Sequence, residues 1–260
     1  MAASRLPIVS TAASAFRDWR RLFSALRGLM FSAFLVLLVI SAATEFIPNR
    51  IWQQELFGDA LTLLQNAAEA LLLAPLIIAI HRFVILGEAT RSYILDLGDP
   101  TFRLFVGWLF ALKVIGGLPF TLLGALQTLG WQPLATVFPF AVALVVALII
   151  SIRLTILFPA VAVRAAGATA AQALADSKGY VLRILAIFCI VLLPWLALDI
   201  VFVLLLGAGA HNDSSSHAML SLVFSAALQT GIVSISAVAV SHMFRALASE
   251  VRRPRALQHA

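Results

Sequence analysis

The chain is predicted to be an all-α polytopic membrane bundle. It has six transmembrane helices, cytoplasmic N- and C-termini, and an amphipathic helix ahead of the first span. Three observations predict this. Of 260 residues, 62% are hydrophobic and 12% charged, and the mean hydropathy is +1.02. A soluble domain carries roughly a quarter charged residues, so this chain has too little polar surface to cover a water-facing globule. Six apolar runs reach the length of about 20 residues that a helix needs to cross hydrocarbon. Finally, of 18 Lys and Arg, all but Arg50, Lys113 and Arg153 fall in segments that share one side of the membrane. These are Arg5, Arg17, Arg20, Arg21 and Arg27, then Arg82, Arg91 and Arg103, then Arg164, Lys178 and Arg183, then Arg245, Arg252, Arg253 and Arg255. Positive charge is retained on the cytoplasmic side.

Residues 1–28 form an interfacial arm. Phe16, Trp19, Leu22, Phe23 and Leu26 recur at helical spacing, with Arg17, Asp18, Arg20, Arg21 and Ser24 on the other face. An aromatic stripe opposed by arginines suits a helix lying among headgroups; the alternative is a solvated arm. The membrane domain, residues 29–247, holds spans near Leu29–Ile47, Leu61–Leu86, Leu104–Leu126, Leu134–Phe158, Ile184–Gly207 and Ala218–Phe244. Backbone groups in lipid must be satisfied within the segment or in a closed barrel, and long runs without alternation are helices. Ser41-Ala42-Ala43 would suit a signal peptidase, but the basic region before the first run is too long for a signal peptide. The run is therefore read as an uncleaved span.

The outer loops are short: Pro48–Ala60 with Arg50, Glu55 and Asp59; Gln127–Pro133 with Trp131; and the polar Ala208–His217. The inner connections, Gly87–Arg103 and Arg164–Arg183, are each long enough for a short interfacial helix, with Thr169 as N-cap of one ending before Gly179. Pro75, Pro139 and Pro194 are read as kinks. Residues 248–260 are a basic cytoplasmic tail.

Arg82-Phe83-Val84-Ile85-Leu86 matches Arg153-Leu154-Thr155-Ile156-Leu157, and Arg27, Arg103 and Arg183 open the odd spans alike. These matches suggest three stacked hairpins; the alternative is chance similarity between apolar-rich segments. An inverted repeat pairing the second span with the fifth would put Glu69 and Asp199 at mirrored depths, whereas both fall in the outer half. The segment from Arg153 through Leu157-Phe158-Pro159-Ala160 to Ser177-Lys178-Gly179-Tyr180 and Arg183 resembles uncharacterised bacterial six-helix inner-membrane proteins, related to the membrane domain attached to some glycerophosphodiester phosphodiesterases. Ser177, Lys178, Gly179 and Arg183 match their motif. Tyr180 stands for the usual Asn, and Leu174 for a common Trp. The resemblance covers residues 153–183 and implies an inner-membrane helical bundle. It implies no catalytic residue, because the phosphodiesterase chemistry belongs to a separate domain.

Charge inside the membrane is where function is sought first, since each such group costs about 2.5–3.5 kcal/mol on insertion scales. The candidate polar cluster is Glu69, Lys113, Asp199 and Arg153. Glu69 or Asp199 is expected to pair with Lys113; the alternative is a protonated Glu69 hydrogen-bonded to Gln65 or Asn66. Arg153, matched to Arg82, is expected to snorkel to the inner headgroups. Gly116, Gly117 and Pro119 mark a candidate helix break, weighed against ordinary notches and kinks. Ala227, Gly231, Ser234, Ala237 and Ser241 form a small-residue face for close helix packing within the chain.

The single cysteine, Cys189, excludes an intrachain disulfide and a Cys-based zinc cluster, and reads as a small packing residue. The five histidines, His81, His211, His217, His242 and His259, form no i,i+4 metal pair. His211, Asp213 and His217 read as a flexible loop in preference to an outer metal site. No phosphate loop, nucleophile elbow or dinucleotide fingerprint is present, so no metal and no cofactor is expected. The pI of about 10.7 comes from charge split among short loops, which suits anionic headgroups at the inner leaflet and not nucleic acid. The expected function is a non-enzymatic membrane-organising or interaction protein whose partners include membrane lipids. The alternative is a small-solute or lipid permease with a polar path through spans two, three and five.

Overall fold

In the computed structural model, residues 6–45, 47, 55–90, 92–208 and 214–248 are described. They form helices α1 (Ile8–Ala25), α2 (Arg27–Glu45), α3 (Glu55–Leu86), α4 (Pro100–Thr128), α5 (Pro133–Leu154), α6 (Leu157–Ala162), α7 (Ala170–Asp176), α8 (Val181–Ala208) and α9 (Ser214–Leu247). No strand occurs among the described residues. Six helical segments are long and apolar enough to cross a membrane: α2, α3, α4, α5 together with α6, α8 and α9. The chain is thus a multi-pass membrane protein, and its spans lie within a few residues of those predicted. Arg5, Arg50, Arg91, the 209–213 loop and the tail beyond Ala248 lie outside the described residues, as do the side chains of Glu55 and His217.

Local chemistry sets the helix ends. Asp99 caps α4 by accepting from the Thr101 amide at 3.0 Å, with Pro100 at the first helical position. The Thr169 hydroxyl accepts from the Gln172 amide at 3.2 Å and caps α7, while Gly179 turns the chain with φ +80°. The predicted helix in the second inner connection is therefore present. The first connection, Gly87–Asp99, holds none among its described residues. Pro159 has no amide to give to Thr155, so the fourth span turns at Thr155–Ile156 and resumes as α6; Phe158 donates to the Thr155 carbonyl at 3.3 Å instead. Pro75, Pro119, Pro139 and Pro194 lie inside continuous helices. The candidate break at Gly116, Gly117 and Pro119 is not one: α4 runs through it. Nor are these glycines packing notches, since a Cβ at either meets nothing within 4 Å.

Helices α3 and α9 form the centre. In their most apolar stretches 56% of residues are buried, against 6% in α4 and 11% in α8. Helix α9 packs on α1, α2, α3, α6 and α8. The core sits at one end of the bundle, here called basal, where α1, the two long connections and the end of α9 gather. Ala70–Ile80 of α3, Ile235–Leu247 of α9 with Ala248 just after it, and Ile156–Ala162 supply much of it. Toward the opposite end α4, α5 and α8 turn large apolar side chains outward, Leu134, Phe138 and Leu205 among them. Cys189 is exposed on α8 and packs in no core.

Two segments wrap the basal half of the central pair. Helix α1 lies against α8 and α9, and the Trp19 indole donates to Ser234 Oγ at 2.8 Å. Ser234 is thirteen residues, roughly 20 Å, before the end of α9. Tyr93 of the first connection donates its hydroxyl hydrogen to the Leu72 carbonyl, fourteen residues before the end of α3. The apolar stripe of α1 therefore meets protein: Leu22 and Leu26 are buried, Phe16 and Trp19 pack against the core, and Phe23 is exposed.

Asp99 also accepts from Arg164 at 2.7 Å, tying α4 to the turn after α6, where Arg164 itself sits at φ +55°. The Thr101 backbone amide, and then the Arg164 guanidinium, hold the Asp99 carboxyl below the usual aspartate value. A carboxylate with a depressed folded pKa adds stability above its unfolded pKa, and this is lost as pH falls through the folded value. Melting temperature in detergent is expected to fall below about pH 4. Asp99→Asn, which keeps the cap but not the charge, is expected to lose that component. Superimposable acid profiles for the two proteins in a thermal-shift titration would refute the assignment.

Candidate functional site

The structure brings two of the four predicted intramembrane charges together. Glu69 of α3 is buried, and Lys113 Nζ of α4 lies 2.5 Å from its Oε2. Gln65 Nε2, one turn earlier on α3, donates to Oε1 at 3.0 Å. Gln229 Nε2 of α9 donates to Oε2 at 3.4 Å. The carboxylate thus accepts from three side chains on three helices. In a medium without water, paired and hydrogen-bonded charge is the form that is tolerated. Gln229 was missed in the sequence; its signal was a lone amide in the middle of an apolar span.

The other two charges stand elsewhere. Asp199 of α8 makes no hydrogen bond or ion pair among the described residues, and α8 packs on α9, α1 and α5. Arg153 does not reach out to headgroups as its likeness to Arg82 implied. Its guanidinium donates to the Leu174 carbonyl and, at 3.3 Å, to Ser177 Oγ. Arg82 instead pairs with Glu88 at 2.6 Å. The two arginines are not equivalent: the chain after α5 presents a carbonyl and a hydroxyl to Arg153, whereas the chain after α3 presents the Glu88 carboxylate to Arg82. Ser177 and Gly179 thus have structural jobs here: one accepts from Arg153 and the other turns the chain into α8.

The small-residue face of α9 is used within the chain. Gly231 receives the Trp195 ring of α8, so that an added Cβ would collide with it. Ser234 accepts from Trp19, whose ring meets Trp195 edge-on at 5.4 Å. Ser241 Oγ lies 2.8 Å from the Ala237 carbonyl, to which it can donate, and 2.7 Å from Nδ1 of the buried His81 ring. His242 Nε2 lies 3.0 Å from Asp18 Oδ2 of α1, though not aligned for a hydrogen bond.

Five cavities formed by described residues lie elsewhere, and none has Glu69, Lys113 or Asp199 on its wall. The most apolar, about 500 Å³ and half open, lies between α1, α2, α8 and α9. Trp19, Phe23, Met30, Phe34, Trp195 and Gly231 line it, with Arg27 as its only charged residue. Arg27 also lines a neighbouring polar cavity of about 490 Å³ with Ser24 and Thr90. No protein-family model, curated protein or solved structure matches the chain.

Proposed function

We propose that the chain is a non-enzymatic, lipid-engaging organiser of a bacterial inner membrane, with both termini cytoplasmic and the basal end facing the cytoplasm. The observation that carries this reading is a contrast between two sites. The intramembrane carboxylate is closed by Lys113, Gln65 and Gln229, while the open cavity is apolar and has an arginine at its wall. A solute path needs polar groups facing space. A lipid-engaging surface needs greasy walls beside positive charge. The arginines of α1 and of the span ends favour the basal end as the cytoplasmic one. The likeness of residues 153–183 to bacterial six-helix inner-membrane proteins supports the same placement.

Cysteine labelling tests both parts, in a Cys189→Ala background with a membrane-impermeant maleimide. Thr90→Cys is expected to react in inside-out vesicles and not in spheroplasts. Asn66→Cys, next to the polar cluster, is expected to react in neither. Labelling of position 90 from outside would reverse the orientation, and rapid labelling of position 66 would favour the permease with a polar path through spans two, three and five.

A further inference from the structure

The apolar cavity and its polar neighbour share one residue, Arg27, the first of α2. We infer that together they form one binding site for an anionic phospholipid of the inner leaflet, with an acyl chain between α2 and α8 and the phosphate against Arg27; this rests on the orientation and lipid engagement proposed above. The apolar part has the size of a ligand pocket. Most of its wall is aromatic and apolar, with Trp19, Trp195, Phe23 and Phe34 among the lining residues, and offers an occupant contact area. The polar part is lined by Ser24 and Thr90 together with Arg27. A molecule that fills both must be greasy at one end and negative next to it. A free phosphate would leave the larger apolar space empty, and a neutral lipid would leave the cation unanswered.

Charge complementarity selects the anionic headgroup. Arg27 has no acidic partner among the described residues, and neither have Arg17 and Arg20, which line a third cavity with Ser24. Asp18 of α1 is engaged by His242 and Arg21, and Glu88, next in the chain to the cavity residues Ala89 and Thr90, is engaged by Arg82. Arg17, Arg20 and Arg27 therefore have no counter-charge from the described residues, and phosphates of the leaflet can supply it. The two cavities also lie in the order that such a lipid requires: Phe31 and Phe34 continue along α2 from Arg27 toward the membrane interior.

Two tryptophans on the wall make the site readable. In a Trp52→Phe/Trp108→Phe/Trp131→Phe background, Trp19 and Trp195 remain as reporters. The full chain is placed in nanodiscs with increasing brominated-chain phosphatidylglycerol or brominated-chain phosphatidylcholine, and tryptophan quenching is followed. Half-maximal quenching is expected at an about fivefold lower mole fraction of the phosphatidylglycerol, the preference that one basic residue near an anionic surface confers. Arg27→Gln is expected to bring the ratio to about one, and Arg27→Lys to keep most of it. Equal half-points in the unsubstituted chain, or a ratio that survives Arg27→Gln, would overturn the proposal and leave the wider reading standing. Absence of quenching by either lipid would overturn both. If the reporter background fails to fold, native mass spectrometry of the parent chain with all its tryptophans separates the same outcomes. More phosphatidylglycerol is expected to be retained by the parent than by its Arg27→Gln variant, and equal retention would overturn the proposal.

Discussion

Glu69→Leu is expected to remove most of the folded protein, and Glu69→Leu/Lys113→Leu to bring much of it back. The carboxylate is buried and accepts from Lys113, Gln65 and Gln229 on three helices. Its removal leaves the Lys113 ammonium without an anion inside a span. Breaking one side of a buried pair costs about 3–5 kcal/mol, whereas exchanging the whole pair for apolar residues of similar volume is often neutral or better. Total stabilities of folded proteins are about 5–15 kcal/mol, so the single change consumes a large share. Lys113→Leu is expected to be the milder single variant, since Gln65 and Gln229 still donate to the carboxylate. Fluorescence-detected size exclusion of a fluorescent-protein fusion measures the folded fraction of each. If the double variant fares no better than Glu69→Leu, the pair is not what holds α3 to α4.

The pair was legible in the sequence because charges are rare in apolar runs and residue counting gives their depth. The spans, the Thr169 cap and the turn at Gly179 were legible for similar reasons: each is a local signal with a local cause. What counting does not give is which helices become neighbours. Asp199 has a depth comparable to Glu69, yet α8 packs against α9, α1 and α5 and offers it no partner among the described residues. Arg153 and Arg82 share a local sequence, but their surroundings come from connections that fold differently. The cavity was invisible because its walls come from opposite ends of the chain: Trp19 and Ser234 are 215 residues apart and hydrogen-bonded. Asp18 and His242 form a second such long-range contact, again between α1 and α9.

Glycines show the same limit and give the second large effect. Gly116 and Gly117 looked the more consequential pair, sitting before a proline in an apolar run, but both face open space. Gly231 is the one whose missing side chain is used. A Cβ there would fall well inside contact distance of the Trp195 ring, and moving the ring would disturb its edge-on contact with Trp19. Lipid tails are as apolar as the helices, so little hydrophobic force draws α8 to α9, and close fit at small residues supplies the attraction. Gly231→Ala is therefore expected to cost about 1–3 kcal/mol through overpacking, despite alanine's better helix propensity. Gly116→Ala and Gly117→Ala, where no neighbour intrudes, are expected to be neutral or stabilising by up to about 1 kcal/mol. Trp195→Leu should suppress much of the Gly231→Ala defect, because the ring that collides is gone. A double-mutant cycle on thermal stability in detergent would read this as a coupling of about 0.5–3 kcal/mol. Strictly additive losses would mean that α8 and α9 are not locked at this notch.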